Sequence, residues 1–155
     1  MHCDNLFAQG FEASPPSEAR YAILSAFEVF EHLPDPVGEM DNMVAFADQI
    51  IFSTELIPKP AHTPGTWWYY APEHGQHISF YTQDALERLA RRFNLHFVTN
   101  GTIHMFSKLK VSYQFYKYIM NPRISFTINT FFRQKSLLQR DFKNAQQSLV
   151  KDLSR

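Results

Sequence analysis

Cysteine, glycine and long apolar runs are all scarce in this chain of 155 residues. The single cysteine, Cys3, excludes a disulfide within the chain and is typical of a reducing compartment. No apolar run is long enough to span a bilayer and no secretory h-region follows Met1, so we expect a cytoplasmic protein. Gly10 is the only glycine before Gly38, which excludes a closely spaced Gly-x-Gly-x-Gly loop from that stretch.

The chain is nonetheless rich enough in apolar residues to form a core. They make up 45% of the sequence, with 15 Phe, 7 Tyr and 2 Trp, which argues against global disorder. Charge is unevenly placed: residues 1–108 carry 6 Lys/Arg and 13 Asp/Glu, whereas residues 109–155 carry 9 and 2. We interpret the basic part as a solvated helical face, with an anionic partner, nucleic acid or a membrane surface as alternatives.

Strands and helices are predicted to alternate in the first two thirds of the chain. Apolar runs at 21–27 and 49–54 predict strands buried on both faces of a parallel sheet, with a helix over 37–47 between them. Residues 77–81 are expected to be extended, and Asp84 to cap a helix that ends near Phe93. Asn100-Gly101 between 95–100 and 103–107 predicts an antiparallel hairpin. This order indicates an α/β sheet with an antiparallel pair at one edge.

Beyond residue 108 the pattern becomes helical. Residues 111–120 predict one helix that ends at Asn121-Pro122, and residues 129–153 predict a second. Its apolar seam would consist of Leu138, Phe142, Ala145, Leu149 and Leu153. We therefore divide the chain into a body, 1–108, and a basic helical tail, 109–155.

Three ionisable side chains follow the first predicted strand closely. Glu28, Glu31 and His32 come where ligands bind in open α/β sheets, at the carboxyl end of a strand. Two carboxylates and an imidazole suit a divalent metal such as Mg²⁺ or Mn²⁺. The alternative from spacing alone is that His32 packs or caps and that both glutamates are solvated.

The stretch Glu28-Val29-Phe30-Glu31-His32-Leu33-Pro34-Asp35-Pro36 resembles the fourth-strand motif of class I S-adenosylmethionine-dependent methyltransferases. The ubiquinone-biosynthesis O-methyltransferases carry similar strings, and the small-RNA 2′-O-methyltransferases have a similar Glu-x-x-Glu-His that binds a divalent metal. The resemblance implies Glu28, Glu31 and His32 as metal ligands.

A second stretch strengthens the resemblance. Trp67-Trp68-Tyr69-Tyr70 and the following His74-Gly75-Gln76-His77-Ile78-Ser79-Phe80 are similar to the segment after the fifth strand in a subgroup of these proteins. The resemblance implies that His77 supplies a further metal ligand, and that His32 or His74 acts as general base where no metal binds. The alternatives are that the aromatic residues cover the sheet and that the histidines cap backbone groups.

The resemblance also implies a fold and a donor. The sheet would be a truncated Rossmann-like methyltransferase sheet, in which the four predicted strands are the family's fourth to seventh. The family's glycine loop is missing before residue 21, so what remains of S-adenosylmethionine binding would come from Phe11 and from backbone near Ala26 and Phe27. Residues 21–27 would then form a bare apolar edge, from which we expect homodimerisation.

Three functions remain open from the sequence. The first is methyl transfer to an oxygen or nitrogen nucleophile, with oxygen favoured, on a small or anionic substrate. Nucleic acid is a less favoured acceptor. The second is a non-catalytic binding or assembly module derived from a methyltransferase. A third is a metal hydrolase built on His74-x-x-His77 with Glu73, although this spacing is not the His-Glu-x-x-His helix of zinc proteases.

Overall fold

A computed structural model describes residues 20–60, 66–70 and 77–131, together with residues 139 and 143. Within these residues lie four strands, β1 (Leu24–Ala26), β2 (Gln49–Ser53), β3 (His96–Thr99) and β4 (Ile103–Ser107). The α-helices are α1 (Pro36–Phe46), α2 (Gln83–Arg92), α3 (Tyr113–Ile119) and α4 (Pro122–Phe131), with 3₁₀ turns at Phe30–His32 and Trp68–Tyr70. The chain divides into two compact units, of which Pro16–Asn121 contains the sheet and the other contains α4.

The sheet is mixed, as the sequence predicts. Its strand order is β1-β2-β4-β3. β1 runs parallel to β2, with Leu24 opposite Ile50 and Ala26 opposite Phe52, while β4 is antiparallel to both β2 and β3. The predicted α/β class, the parallel pair and the Asn100-Gly101 hairpin are therefore confirmed.

Two apolar clusters cover the two faces of the sheet. On one face, Phe30 stacks on Phe52 with ring centroids 4.0 Å apart, and Phe106 lies 4.7 Å from Phe52. Apolar residues from α1 and α2 join this cluster, including Met40 and Leu86, both fully buried. On the other face, α3 contributes Tyr116 to a smaller cluster with Val98 and Met105. Because strand side chains alternate between faces, the two clusters lie on opposite sides of one sheet.

Two local predictions, the burial of β1 and the cap of α2, are wrong. β1 is not buried on both faces: Ser25 is exposed, and Ile23 and Phe27 are 50% and 52% exposed, because among the described residues β1 pairs only with β2. The cap of α2 is Thr82, whose Oγ1 accepts a hydrogen bond from the Ala85 amide, and not Asp84, which lies in the first turn.

The helices after the hairpin also differ from their predicted bounds. The predicted helix over 111–120 is shorter, Tyr113–Ile119, and the helix that we expected from residue 129 has its counterpart in α4, which already begins at Pro122. Proline fits there because the first helical position needs no amide donor. The predicted seam from Leu138 to Leu153 lies outside the described residues. None of the described helices is long and apolar enough to cross a membrane.

Candidate functional site

The candidate site lies where β1 and β2 end. The 3₁₀ turn Phe30–His32 follows β1, and the extended segment 77–80 lies against it. The amides of Ile78 and Ser79 both donate to the Glu31 carbonyl, at 2.9 and 3.0 Å, and the Tyr81 hydroxyl donates to the Phe30 carbonyl at 2.8 Å. These bonds hold two distant segments of the chain together at the carboxyl edge of the parallel strands, where ligands bind in such sheets.

Glu28 is bound to the neighbouring strand. Its backbone has a positive φ of 53°, which is uncommon for a residue other than glycine. Its amide donates to Ser53 Oγ at 2.9 Å, and Ser53 Oγ donates to Glu28 Oε1 at 2.7 Å. The carboxylate therefore joins the end of β1 to the end of β2, and Glu28 is not part of the converging group described below.

The Glu31 carboxylate is buried, and few described interactions replace its lost contact with water. Its side chain is 0% exposed, and among the described residues neither carboxylate oxygen has a hydrogen-bond partner. Burial raises its pKa, and the negative charge of Glu28 adds to the rise, against lowering by the backbone, by the nearby Tyr69 hydroxyl and by His32. Tyr69 influences this pKa without forming a well-made hydrogen bond to the carboxylate. A buried ionisable group with a shifted pKa at a strand end is a candidate functional residue.

Two histidines lie beside Glu31. The rings of His32 and His77 meet edge to face with centroids 5.1 Å apart. His77 Nδ1 lies 2.6 Å from the Tyr69 carbonyl. A carbonyl can only accept, so Nδ1 carries the proton, and the lone pair of the neutral ring is on Nε2. His77 thus presents Nε2 as a base or as a metal ligand.

Glu31, His32 and His77 converge on one point. One ligand atom from each lies within 4.8 Å of the others. Neighbouring ligand atoms around a tetrahedral or octahedral ion with bonds of about 2.1 Å lie ~3.0–3.4 Å apart, so the group would contract by up to ~1–2 Å around an ion. The group can therefore act either as a metal site or as a pair of imidazoles beside an acid.

A chain of hydrogen bonds supports the site from behind. The fully buried His104 places Nε2 2.9 Å from the Thr54 carbonyl and Nδ1 2.7 Å from Thr99 Oγ1. Nε2 must donate, so Nδ1 accepts from Thr99, and burial lowers the pKa of His104, which favours this neutral form. Thr54 Oγ1 lies 3.2 Å from the Tyr69 hydroxyl, which connects the hairpin to the segment that orients His77.

The sequence did not indicate these supporting residues. His104 lies on a strand with no acid or second histidine nearby in sequence, and its partner Thr54 is 50 residues away. Only the Asn-Gly turn, which brings Thr99 opposite His104, offered a signal.

Burial raises the pKa of Tyr69 to about 12, so its hydroxyl remains protonated and available as a donor.

The other predicted site residues are placed as follows. His74 and Phe11 lie outside the described residues. Ala26 is buried, so that only its backbone could face a ligand, whereas Phe27 is half exposed at the carboxyl end of β1. The structure therefore brings together His32, His77 and Glu31 and leaves Glu28 apart.

A sheet with ionisable groups gathered at the carboxyl ends of its parallel strands is typical of α/β proteins that bind nucleotide-like ligands. Residues 3–100 match a family model described as a methyltransferase domain. The chain therefore belongs to the methyltransferase-domain family, and the resemblance drawn from the sequence is confirmed at that level. No curated protein and no solved structure matches the chain.

Proposed function

We propose that this chain takes part in S-adenosylmethionine-dependent methyl transfer to a hydroxyl oxygen of a small or anionic acceptor. The observation that carries the proposal is the convergence of Glu31, His32 and His77 at the strand ends of a chain from the methyltransferase-domain family. An acceptor hydroxyl must lose its proton during methylation, and this group offers a place for that proton.

His77 is suited to receive the proton. S-adenosylmethionine, when bound, would supply the electrophilic methyl group for the acceptor oxygen. His77 Nε2 takes the hydroxyl proton, because Nδ1 already donates to the Tyr69 carbonyl. Glu31 has an oxygen within 4.8 Å of a His77 ring nitrogen, and its negative charge stabilises the imidazolium that results.

The described residues fit the reacting end of the donor better than its nucleotide. Phe27 offers an exposed ring at the carboxyl end of β1. Gly38 lies in α1 against Asp35, and Gly101 lies in the hairpin turn, so neither provides a backbone cradle at the strand ends. We therefore expect residues 1–155 alone to bind S-adenosylmethionine weakly.

The same group also fits a divalent metal. The buried carboxylate of Glu31 without a described partner and the oriented imidazole of His77 are what a metal site requires, since the second ring nitrogen of a ligand is usually held by a carbonyl. Glu31, His32 and His77 would hold the ion, which would supply Lewis-acid activation of the acceptor hydroxyl. Glu28 would act only through its charge.

The test measures transfer of a tritiated methyl group from S-adenosylmethionine to hydroxyl acceptors. It uses residues 1–155 and the same chain extended by any reading frame upstream, each with Mn²⁺ or with a chelator. We expect the His77→Ala substitution to lower kcat by about 10²-fold or more with little effect on donor affinity. The control is His96→Ala, which removes an exposed histidine of β3 and should leave the rate unchanged.

The outcomes separate the alternatives. Loss of activity with the chelator supports the metal form, and activity without metal supports His77 as the base. If neither form of the chain binds the donor while both are folded, methyl transfer is wrong and the non-catalytic binding module is the better interpretation.

A further inference from the structure

α4 carries large apolar side chains that are exposed in the described part of the chain. Phe126 and Phe131 are 74% and 80% exposed, and Ile128 is 46% exposed. Large exposed apolar side chains grouped on one short helix mark an interaction surface more often than chance exposure does.

These side chains share one side of the helix. At 3.6 residues per turn, Phe126, Thr127, Thr130, Phe131 and Ile128 fall within an arc of about 200°, and Ser125 lies opposite. Arg123 and the two threonines lie between Phe126 and Phe131 within this arc, and Phe131 and Ile128 lie on the same side of them. Arg123 is at the first turn, where a long side chain can extend its charge toward water.

The hydroxyl groups of the two threonines are hydrogen-bonded within the helix. Thr127 Oγ1 donates to the Arg123 carbonyl at 2.8 Å, and Thr130 Oγ1 donates to the Phe126 carbonyl at 2.8 Å. A hydroxyl that donates within its own helix can enter an apolar environment at lower cost than one that loses a water partner. Apart from Arg123, the arc is therefore suited to burial in a medium that offers no hydrogen bonds.

The sequence around α4 is strongly basic. No aspartate or glutamate occurs from residue 88 to residue 140, a stretch that holds ten lysines and arginines. Basic residues stand on both sides of α4, among them Lys117 before it and Arg133 and Lys135 after it. An apolar helical arc within a positively charged segment has the properties of a helix that lies in a membrane interface.

We propose that α4 docks on the surface of an anionic lipid bilayer, with Phe126, Ile128 and Phe131 inserted among the acyl chains. Nucleic acid explains the charge but not the exposed isoleucine, which cannot stack on a base. A protein partner explains the apolar arc but not the lysines, which protein interfaces tend to avoid. Anionic lipid accounts for both features, because cations bind the headgroups and Phe and Ile enter the apolar layer.

The test is co-sedimentation of the full chain with phosphatidylcholine vesicles, with and without phosphatidylglycerol. We expect binding to the anionic vesicles and loss of about tenfold or more of it in Phe126→Ser/Phe131→Ser. The matched control, Ile78→Ser/Leu109→Ser, removes two exposed apolar side chains elsewhere and should bind as the wild type does.

A second pair of variants tests the charge. Lys117→Glu/Arg133→Glu should weaken binding by at least about tenfold, whereas Arg88→Glu/Arg92→Glu, with the same change of net charge on α2, should weaken it far less. In Phe126→Trp, bromine-labelled lipid should quench more fluorescence than in the wild type, in which Trp67 and Trp68 give the background. The difference reports insertion of α4 itself.

Three results would overturn the proposal. The first is a lack of binding to anionic vesicles, and the second is equal loss of binding in the α4 variants and their controls. The third is binding to a single-stranded RNA that Lys117→Glu/Arg133→Glu abolishes while vesicles remain unbound, which would assign the segment to nucleic acid.

Discussion

At the scale of single residues, the buried carboxylate of Glu31 lowers the stability of the folded protein at neutral pH. The carboxyl is fully buried and its pKa is raised by burial from the ordinary value of 4.5. Between 4.5 and the raised value, the folded state binds more protons than the unfolded state does. The free energy of unfolding therefore falls as the pH rises through this window and stays lower above it.

Replacing Glu31 by glutamine should remove that cost. We expect Glu31→Gln to be more stable than the wild type at neutral pH, by on the order of 1 kcal/mol, with the difference vanishing below about pH 4. Urea denaturation across pH 4 to 8 measures it, with the exposed Asp41→Asn as control. A variant that is less stable at every pH would show that the carboxylate has a strong partner in the folded protein.

A residue that destabilises the fold and lies close to two histidines is better explained by function than by packing. The same substitution should abolish Mn²⁺ binding if the group is a metal site, because it removes the only carboxylate of the three. Gain of stability together with loss of function is the expected signature of a functional group held by a rigid scaffold.

At the scale of elements, two residues near the start of α2, Thr82 and Asp84, could act as its N-cap. Thr82 Oγ1 accepts from the Ala85 amide at 3.1 Å, whereas Asp84 is inside the first turn and accepts no capping bond in the described structure. Thr82→Ala should therefore cost about 1 kcal/mol of unfolding free energy. Asp84→Ala should cost no more than a few tenths, because the lost interaction with the helix dipole is offset by the better helix propensity of alanine.

Equilibrium denaturation of the two alanine variants decides between the caps. A larger loss for Asp84→Ala than for Thr82→Ala would reverse the assignment. The N-cap of α1 serves as a reference for the size of the loss, since Asp35 Oδ1 accepts a hydrogen bond from the Gly38 amide at 3.0 Å. Asp35→Ala should cost as much as Thr82→Ala.

Local patterns predicted the elements well because their signals are local. The bounds of α1 and β2 and the hairpin at Asn100-Gly101 follow from apolar spacing and turn chemistry that short segments contain. The site was only half predictable: Glu31, His32 and His77 came from motifs, but nothing in sequence shows that Ser53 binds Glu28 or that His104 donates to Thr54. Those bonds depend on which strands pair, and pairing is set by the whole sheet.

At the scale of the whole molecule, β1 determines how copies of the chain can meet. Its outer edge has no partner among the described residues, and Ile23 and Phe27 stand half exposed around the exposed Ser25. A twofold axis through Ser25 would pair two β1 strands antiparallel. Ile23 of one copy would then lie opposite Phe27 of the other, so each exposed apolar side chain would meet its complement.

We therefore expect a dimer that joins two four-stranded sheets edge to edge. Light scattering on a sizing column should give a mass near twice the 18.1 kDa of the chain at high concentration. Ile23→Lys should return it to the monomer, because a charge at an edge strand opposes pairing. Ile78→Lys introduces the same charge at an equally exposed position away from the edge and should leave the dimer intact. If the wild type is monomeric at all concentrations, or if both variants dissociate alike, β1 is not the interface and its exposed residues must serve another contact.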